Sequence, residues 1–218
     1  MRRILVGTPT HTGAVDMRYT ASLIRTDRLL RSHGIDCVPL FTAYDALVQR
    51  ARNDIVRVAI ETCVDDLLFI DADQQWDPQA ALAVLQHPVD CIGLPVIRKI
   101  GAERYNVYPP LSPGPSGLVR VSAIGSGFLR LSRKAFTALW EASEPYKSEY
   151  SDARMVFDVQ VRDGELVGED IMVCRKLTDL GFDIHIDPAF TVSHVGHKLY
   201  EGDFKPVCES ILSLERAG

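Results

Sequence analysis

The stretch Leu67-Leu68-Phe69-Ile70-Asp71-Ala72-Asp73-Gln74-Gln75-Trp76-Asp77-Pro78 decides how the rest of the chain is read. Four apolar residues in a row, with no polar alternation, mark a strand covered on both faces, as in a parallel sheet flanked by helices. Asp77 before Pro78 is a helix start: an N-cap, then proline at the first helical position. Two aspartates one residue apart therefore lie in the turn between a buried strand and a capped helix. In open α/β sheets, ligands bind at the carboxyl ends of the strands. Paired carboxylates in such a turn can approach one divalent cation, and their hard oxygens suit Mg²⁺ or Mn²⁺.

Outward from this stretch, strand and helix patterns alternate. Ile4-Leu5-Val6 predicts a strand ending at Gly7-Thr8-Pro9. A helix from about Met17 carries Thr20, Leu23, Ile24 and Leu30 at helical spacing and stops at Gly34. Ile35 to Phe41 reads as the second strand. Leu47, Val48, Ala51, Ile55, Val58, Ala59 and Thr62 then form the apolar face of an amphipathic helix. The helix opened by Pro78 runs to Pro88, and Val89 to Leu94 is a fourth strand. The alternation predicts an α/β fold, an open, mostly parallel twisted sheet with helices on both faces, Rossmann-like.

The character changes near residue 98. Pro109, Pro110, Pro113, Gly114, Pro115 and Gly117 predict a long loop. Strands at Leu118–Val121 and Phe128–Leu131 flank Gly125-Ser126-Gly127, and Ser132 caps a helix through Trp140. Residues 143 to 168 read as an irregular polar segment of the kind that forms a lid. A helix from about Glu169 to Leu180 ends at Gly181; strands follow at Phe182–Ile186 and Phe190–Val192. No linker divides the chain, so residues 1–218 read as one domain with halves 1–98 and 99–218.

Composition bounds the function. The chain has 218 residues, 46% of them hydrophobic, enough for a sizeable core. Its formal net charge of −5 argues against a dedicated nucleic-acid binder, which needs a concentrated basic face. Arg2, Arg3, Arg18, Arg25, Arg28 and Arg31 enrich the N-terminal stretch and read as a solvated face. The five cysteines form no CxxC pair and read as reduced core residues. No apolar run approaches the roughly 20 residues of a membrane span. The opening residues are too short an apolar stretch for a signal peptide. A soluble, cytoplasmic protein is expected.

Further polar residues stand out. Glu169-Asp170, after Gly168, reads either as an acid-favouring helix start or as a carboxylate base facing the cleft. His194-Val195-Gly196-His197 offers two candidate metal ligands. His11, His33, His87 and His185 read as surface or packing residues. Arg52-Asn53-Asp54 interrupts an apolar helix face, Arg98-Lys99 ends the fourth strand, and Thr8-Pro9-Thr10 ends the first. Each of these three fits a cleft or an ordinary surface equally.

Taken in order, these motifs resemble the GT-A fold of nucleotide-sugar-dependent glycosyltransferases, especially family 2-like enzymes, from Gly7 to about Asp203. The resemblance implies that Asp73 ligates the metal holding the donor's diphosphate. It implies that Asp71 contacts ribose or metal-bound water. Gly125 to Arg133 corresponds to an acceptor-side strand with a small-residue turn, and Asp170, beside Glu169, to the usual base. The C-terminal metal ligand is His197 by the Val-Gly-His pattern of polypeptide N-acetylgalactosaminyltransferases. By the His-x-Gly pattern of smaller family 2-like proteins it is His194. The first group retains anomeric configuration and the second commonly inverts it.

The same resemblance places Thr8, Pro9, Thr10, Arg52 and Asn53 around the nucleotide and Lys99 on the phosphates. It makes residues 1–98 the nucleotide-sugar-binding half and 99–218 the acceptor half. The expected activity is Mn²⁺- or Mg²⁺-dependent transfer from a nucleoside-diphosphate sugar, a UDP-sugar favoured, to an acceptor hydroxyl, inverting favoured over retaining. The acceptor is left open among glycan, protein, small molecule and modified nucleic-acid base, with no stable membrane insertion. The alternatives are a sugar-phosphate nucleotidyltransferase, whose Gly-rich basic loop Gly7 to Gly13 does not match, and a non-catalytic nucleotide-sugar-binding protein.

Overall fold

Asp66–Ile70 is buried along its whole length, and its side chains alternate between two apolar layers. Leu67 and Phe69 enter one with Ile55, Phe136 and Cys174. Leu68 and Ile70 enter the other with Tyr19, Leu30 and Leu85. A strand apolar on both faces requires cover on both. The structure, a computed structural model, describes residues 1–99, 103–147, 152–196 and 198–215.

In chain order the elements are β1 (Arg2–Pro9), α1 (Met17–Ser32), β2 (Ile35–Thr42), α2 (Val48–Glu61), β3 (Asp66–Ile70), β4 (Gln74–Gln75) and α3 (Pro78–Gln86). Then come β5 (Cys91–Gly93), β6 (Val107–Pro113), β7 (Val119–Ile124), β8 (Phe128–Ser132) and α4 (Arg133–Ala142). Two short hairpins follow, β9 (Pro145–Lys147) with β10 (Asp152–Arg154) and β11 (Gln160–Arg162) with β12 (Glu165–Val167). The chain continues through α5 (Glu169–Asp179), β13 (Ile184–Ile186), β14 (Ser193–Val195), β15 (Leu199–Tyr200) and α6 (Phe204–Glu215).

The main sheet has eight strands in the order β2-β1-β3-β8-β5-β13-β7-β6. β1 is parallel to β2 and β3, and β5 to β13. β8 is antiparallel to β3 and β5, and β7 to β13 and β6. Six strands thus share one direction and β7 and β8 oppose it. α1 and α3 cover one face; α2, α4, α5 and α6 cover the other. The result is the expected open, mostly parallel α/β sheet with helices on both faces.

Several local expectations are corrected. Pro109 and Pro110 do not open a loop but fall within β6, at a register shift between Tyr108 and Leu111. β6 is an edge strand, where missing N–H donors cost no ladder bonds. The segment 143–168 is not irregular where described: it holds the two hairpins, and Val156 and Phe157 between them are fully buried. The buried face of α1 is Tyr19, Ser22, Thr26 and Leu30, whereas Thr20 and Ile24 are exposed. Trp76 is the reason. Its indole N–H donates to Thr26 Oγ1 at 2.9 Å, and its carbonyl accepts from Ser22 Oγ at 2.9 Å, so polar side chains turn inward.

The strand expected at Phe190–Val192 lies later, at Ser193–Val195, and carries His194 itself. Cys63 is exposed, while Cys37, Cys91, Cys174 and Cys208 are buried free thiols. Among the described residues no helix is long and apolar enough to cross a membrane.

Candidate active site

The site lies past the carboxyl ends of β1 and β3. Asp71 leaves β3 with its backbone N–H donating to Gly127 O at 2.9 Å, which fixes the turn against β8. Arg52, on α2 and only 4% exposed, reaches up beside it. Its Nη2 donates to Asp71 Oδ1 at 2.8 Å and its Nη1 to Glu169 Oε1, at the start of α5. One guanidinium therefore ties the turn after β3 to the start of α5.

Asp73 carries a second cluster. The Lys99 ammonium pairs with Oδ2, and His194 Nε2 lies 3.3 Å from Oδ1. Sheet pairing sets this up: β14 pairs with β4, placing His194 opposite Gln74, and Val195 N donates to Asp73 O at 2.7 Å. His194 Nδ1 lies 3.0 Å from Ile97 O. A carbonyl only accepts, so Nδ1 carries the hydrogen and Nε2 is the nitrogen left facing the carboxylate. Nε2 and the carboxylate so placed are bridged either by a proton on Nε2 or by a cation between them.

The electrostatics of the aspartates diverge. Burial pushes the Asp73 carboxyl up, but the hydrogen bonds and charges of His194 and Lys99 more than offset this and hold it at about 2. Asp170 is raised above the ordinary carboxylate range, first by burial and then by the neighbouring Glu169 charge. The Ile171 N–H, 2.8 Å from Oδ1, and Arg52 only partly offset that rise.

Two clefts meet here. The larger, about 570 Å³, is bordered by Pro9, Thr10, Asp16 and Asp73. The smaller, about 340 Å³, is bordered by Arg98, Lys99, Asn106, Ser126, Glu169 and Asp170. Arg52, Asp71 and His194 line both.

Two expected nucleotide contacts fall elsewhere. The Thr8 hydroxyl is fully buried and hydrogen-bonded to the Tyr19 hydroxyl, because strand alternation turns it toward α1. Asn53 is fully buried as a clamp: Oδ1 accepts from Phe157 N at 2.7 Å and Nδ2 donates to Phe157 O at 3.0 Å. Its place in an apolar helix face is explained by that segment, not by a ligand. His197 lies outside the described residues. Gln74, Asn106 and Ser126 were not singled out by the sequence, although the flanking Gly125 and Gly127 mark a tight spot there.

Among the described residues no three His, Cys, Asp or Glu side chains converge as a ready metal cage. Asp71 Oδ1 is engaged by Arg52. Asp73 and His194 present one hard oxygen and one imidazole nitrogen, donor types that Mn²⁺ accepts, and the Lys99 ammonium already stands as a cation on that carboxylate. Those two residues fit such an ion, provided its remaining positions come from substrate or water.

No family model matches the chain, and no curated protein matches it in sequence. Solved structures do. The chain is similar to A197 from STIV, with a TM-score of 0.56 and 18% identity, covering 90% of this chain and 86% of that one. It is matched more loosely by GalNAc-T7 with UDP, GalNAc and Mn²⁺, with a TM-score of 0.46 and 10% identity over 90% of this chain. That match spans 44% of the GalNAc-T7 chain, less than half its length. UDP-glucose pyrophosphorylase complexed with UDP-glucose gives a TM-score of 0.48 and 9% identity, covering 100% of this chain and 98% of that one. At 18% identity the likeness to A197 is one of fold.

Proposed function

We propose that the chain is a glycosyltransferase that binds a nucleoside-diphosphate sugar, a UDP-sugar, with the nucleotide in the larger cleft and the sugar at the seam with the smaller one. It passes the sugar to an acceptor hydroxyl in the smaller one, with Mn²⁺ or Mg²⁺ as cofactor. The observation that carries this reading is the seam between the clefts. Arg52, Asp71 and His194 line both, with Asp73 on one side and Asp170 on the other.

Asp73 and His194 would hold the cation, with Asp71 beside them. When bound, the ion offsets the charge that grows on the diphosphate as the glycosidic bond breaks. Pro9 and Thr10 border the nucleotide, and Lys99 exchanges Asp73 for a phosphate. Arg52 keeps Glu169 engaged in an ion pair. Asp170, which among the described residues pairs with no side chain, is then the carboxylate left to act in the acceptor cleft, and its raised pKa brings it nearer the operating pH of a general base. It takes the proton of the incoming hydroxyl. A single base on the acceptor side, across the seam from the diphosphate, supports direct displacement with inversion. Residues 1–98 supply most of the donor cleft and 99–218 most of the acceptor cleft.

The test combines binding and turnover. UDP with Mn²⁺ is expected to raise the melting temperature more than either alone. Asp73→Asn is expected to weaken Mn²⁺-dependent UDP binding by roughly tenfold or more. Asp170→Asn should bind UDP normally and lose about 10²–10⁴-fold in transfer or slow donor hydrolysis. Full metal-dependent turnover by Asp73→Asn would remove the metal assignment. Release of pyrophosphate from a nucleoside triphosphate and a sugar phosphate would make the chain a nucleotidyltransferase. A donor that binds but is never hydrolysed or transferred would make it a binding protein.

A further inference from the structure

Gln74 and Ser126 both line the smaller cleft, and they are only 1% and 2% exposed. Buried side chains of this kind normally have hydrogen-bond partners within the fold. Gln74 Oε1 and Ser126 Oγ have none among the described residues. Glycine is what lets the amides of this wall pack so closely. A Cβ on Gly127 would collide with Gln74 Nε2 and stand 3.0 Å from Asp71 Oδ2. A Cβ on Gly125 would stand 2.6 Å from Asn106 Nδ2. Asn106 is already committed: its Oδ1 accepts from Val96 N at 2.8 Å, so it braces the wall.

We infer that Gln74 and Ser126 form the hydroxyl-reading floor of the sugar pocket and select which nucleotide sugar the enzyme uses. The inference rests on the glycosyltransferase reading above and adds its specificity residues. An amide oxygen only accepts, whereas a serine hydroxyl rotates to donate or accept. A pair of neighbouring sugar hydroxyls offers the matching set: an O–H for Gln74 Oε1, and an O–H or a lone pair for Ser126 Oγ. Asp71 Oδ2 beside Gly127 places this floor at the seam, where the transferred sugar sits between diphosphate and acceptor. An epimer that inverts either hydroxyl leaves one of the two buried groups unpaired, and discrimination follows from that cost.

The experiment is isothermal titration with UDP, UDP-glucose, UDP-galactose and UDP-N-acetylglucosamine, each with Mn²⁺, together with thermal unfolding of the ligand-free protein. Wild-type protein is expected to bind one of these sugars more tightly than UDP alone. Ser126→Ala and Gln74→Met should each cut that gain about five- to tenfold while leaving UDP affinity unchanged. Their melting temperatures should hold or rise, because each substitution removes a buried polar atom that has no partner. A lowered melting temperature with UDP and UDP-sugar affinity falling together would show a packing role and overturn the inference. So would an unchanged gain in the variants, or wild-type protein that binds UDP but gains nothing from any sugar. Wild-type protein that binds no UDP would instead overturn the donor-cleft reading, and this inference with it.

Discussion

The two ends of β3 carry the same kind of interaction in opposite proportion. At the amino end, Asp66 is 1% exposed and lies between two arginines, with Arg2 Nε at 2.7 Å and Arg130 Nε at 2.6 Å. The surplus positive charge is absorbed by the main chain: Leu85 O accepts from Arg2 Nη1 at 2.6 Å and Val89 O from Arg130 Nη1. At the carboxyl end, one arginine lies between two carboxylates, Asp71 and Glu169. The surplus there is negative, and it faces two clefts rather than backbone partners. A cluster whose leftover charge is met by the fold holds the structure together. One whose leftover charge faces an opening is completed by a ligand or a proton.

The largest expected effect is at the Asp66 cluster, whose surplus charge the main chain meets. Asp66→Asn removes a buried carboxylate from between Arg130 and Arg2, whose side chains are 7% and 34% exposed, so the loss should fall at the low end of the roughly 3–5 kcal/mol for breaking a buried pair. Urea unfolding should show that loss, while UDP affinity of the folded variant stays unchanged. A loss under about 1 kcal/mol would erase the distinction between the two ends.

Arg52→Met is expected to do less to stability and more to catalysis. Asp71 is about a third exposed and Glu169 about a sixth, so water takes over part of what the guanidinium supplied. The stability loss should stay near 2 kcal/mol. The pH dependence carries the sharper signal. Asp170 acts ionised, so the rate falls as pH drops through its raised pKa, at higher pH than for an ordinary carboxylate. Arg52 is one of the groups holding that pKa down. Removing it should move the acid limb of the pH–rate profile further upward; an unmoved limb would separate Arg52 from the base. Stability runs the opposite way for this group. The folded state binds the Asp170 proton more tightly than the unfolded chain does. Its contribution to stability therefore grows as pH falls through the folded pKa, and Asp170→Asn should cost no stability near neutrality.

The open cluster was legible in the sequence only where its cause was local. Asp71 and Asp73 could be placed because an apolar run and an N-cap with proline are both short-range signals. Arg52 and Asn53 were visible as anomalies in an apolar helix face, yet their meanings proved opposite. Arg52 reaches Asp71, 19 residues on, and Glu169, 117 residues on; Asn53 clamps Phe157, 104 residues on. Nothing in a helical period separates a residue that ties two clefts from one that ties down a loop. Thr8 stood at the correct strand end, but alternation turned its hydroxyl to Tyr19. The prolines of β6 read as loop because edge position, which makes them tolerable, is a property of the finished sheet. Gln74 and Ser126 carried no signal of their own, since burial without a partner exists only in three dimensions.

The smallest effect sharpens the contrast by removing charge that belongs to neither end of β3. The six arginines of the N-terminal stretch read alike in sequence, but the fold separates them. Arg2 is built into the Asp66 cluster, and Arg31 pairs with Asp27 and Asp36. Arg25 and Arg28 are exposed on the outer face of α1. Arg25→Ala and Arg28→Ala should each change stability by no more than about 0.5 kcal/mol and leave UDP affinity untouched, as solvated surface charges do. Arg2→Ala should cost more than the two together. A loss above about 1 kcal/mol from either surface variant would mean that α1 draws on charge the structure places in solvent. Unchanged stability with weaker binding to a polyanion would assign that face to the acceptor, despite the net charge of −5.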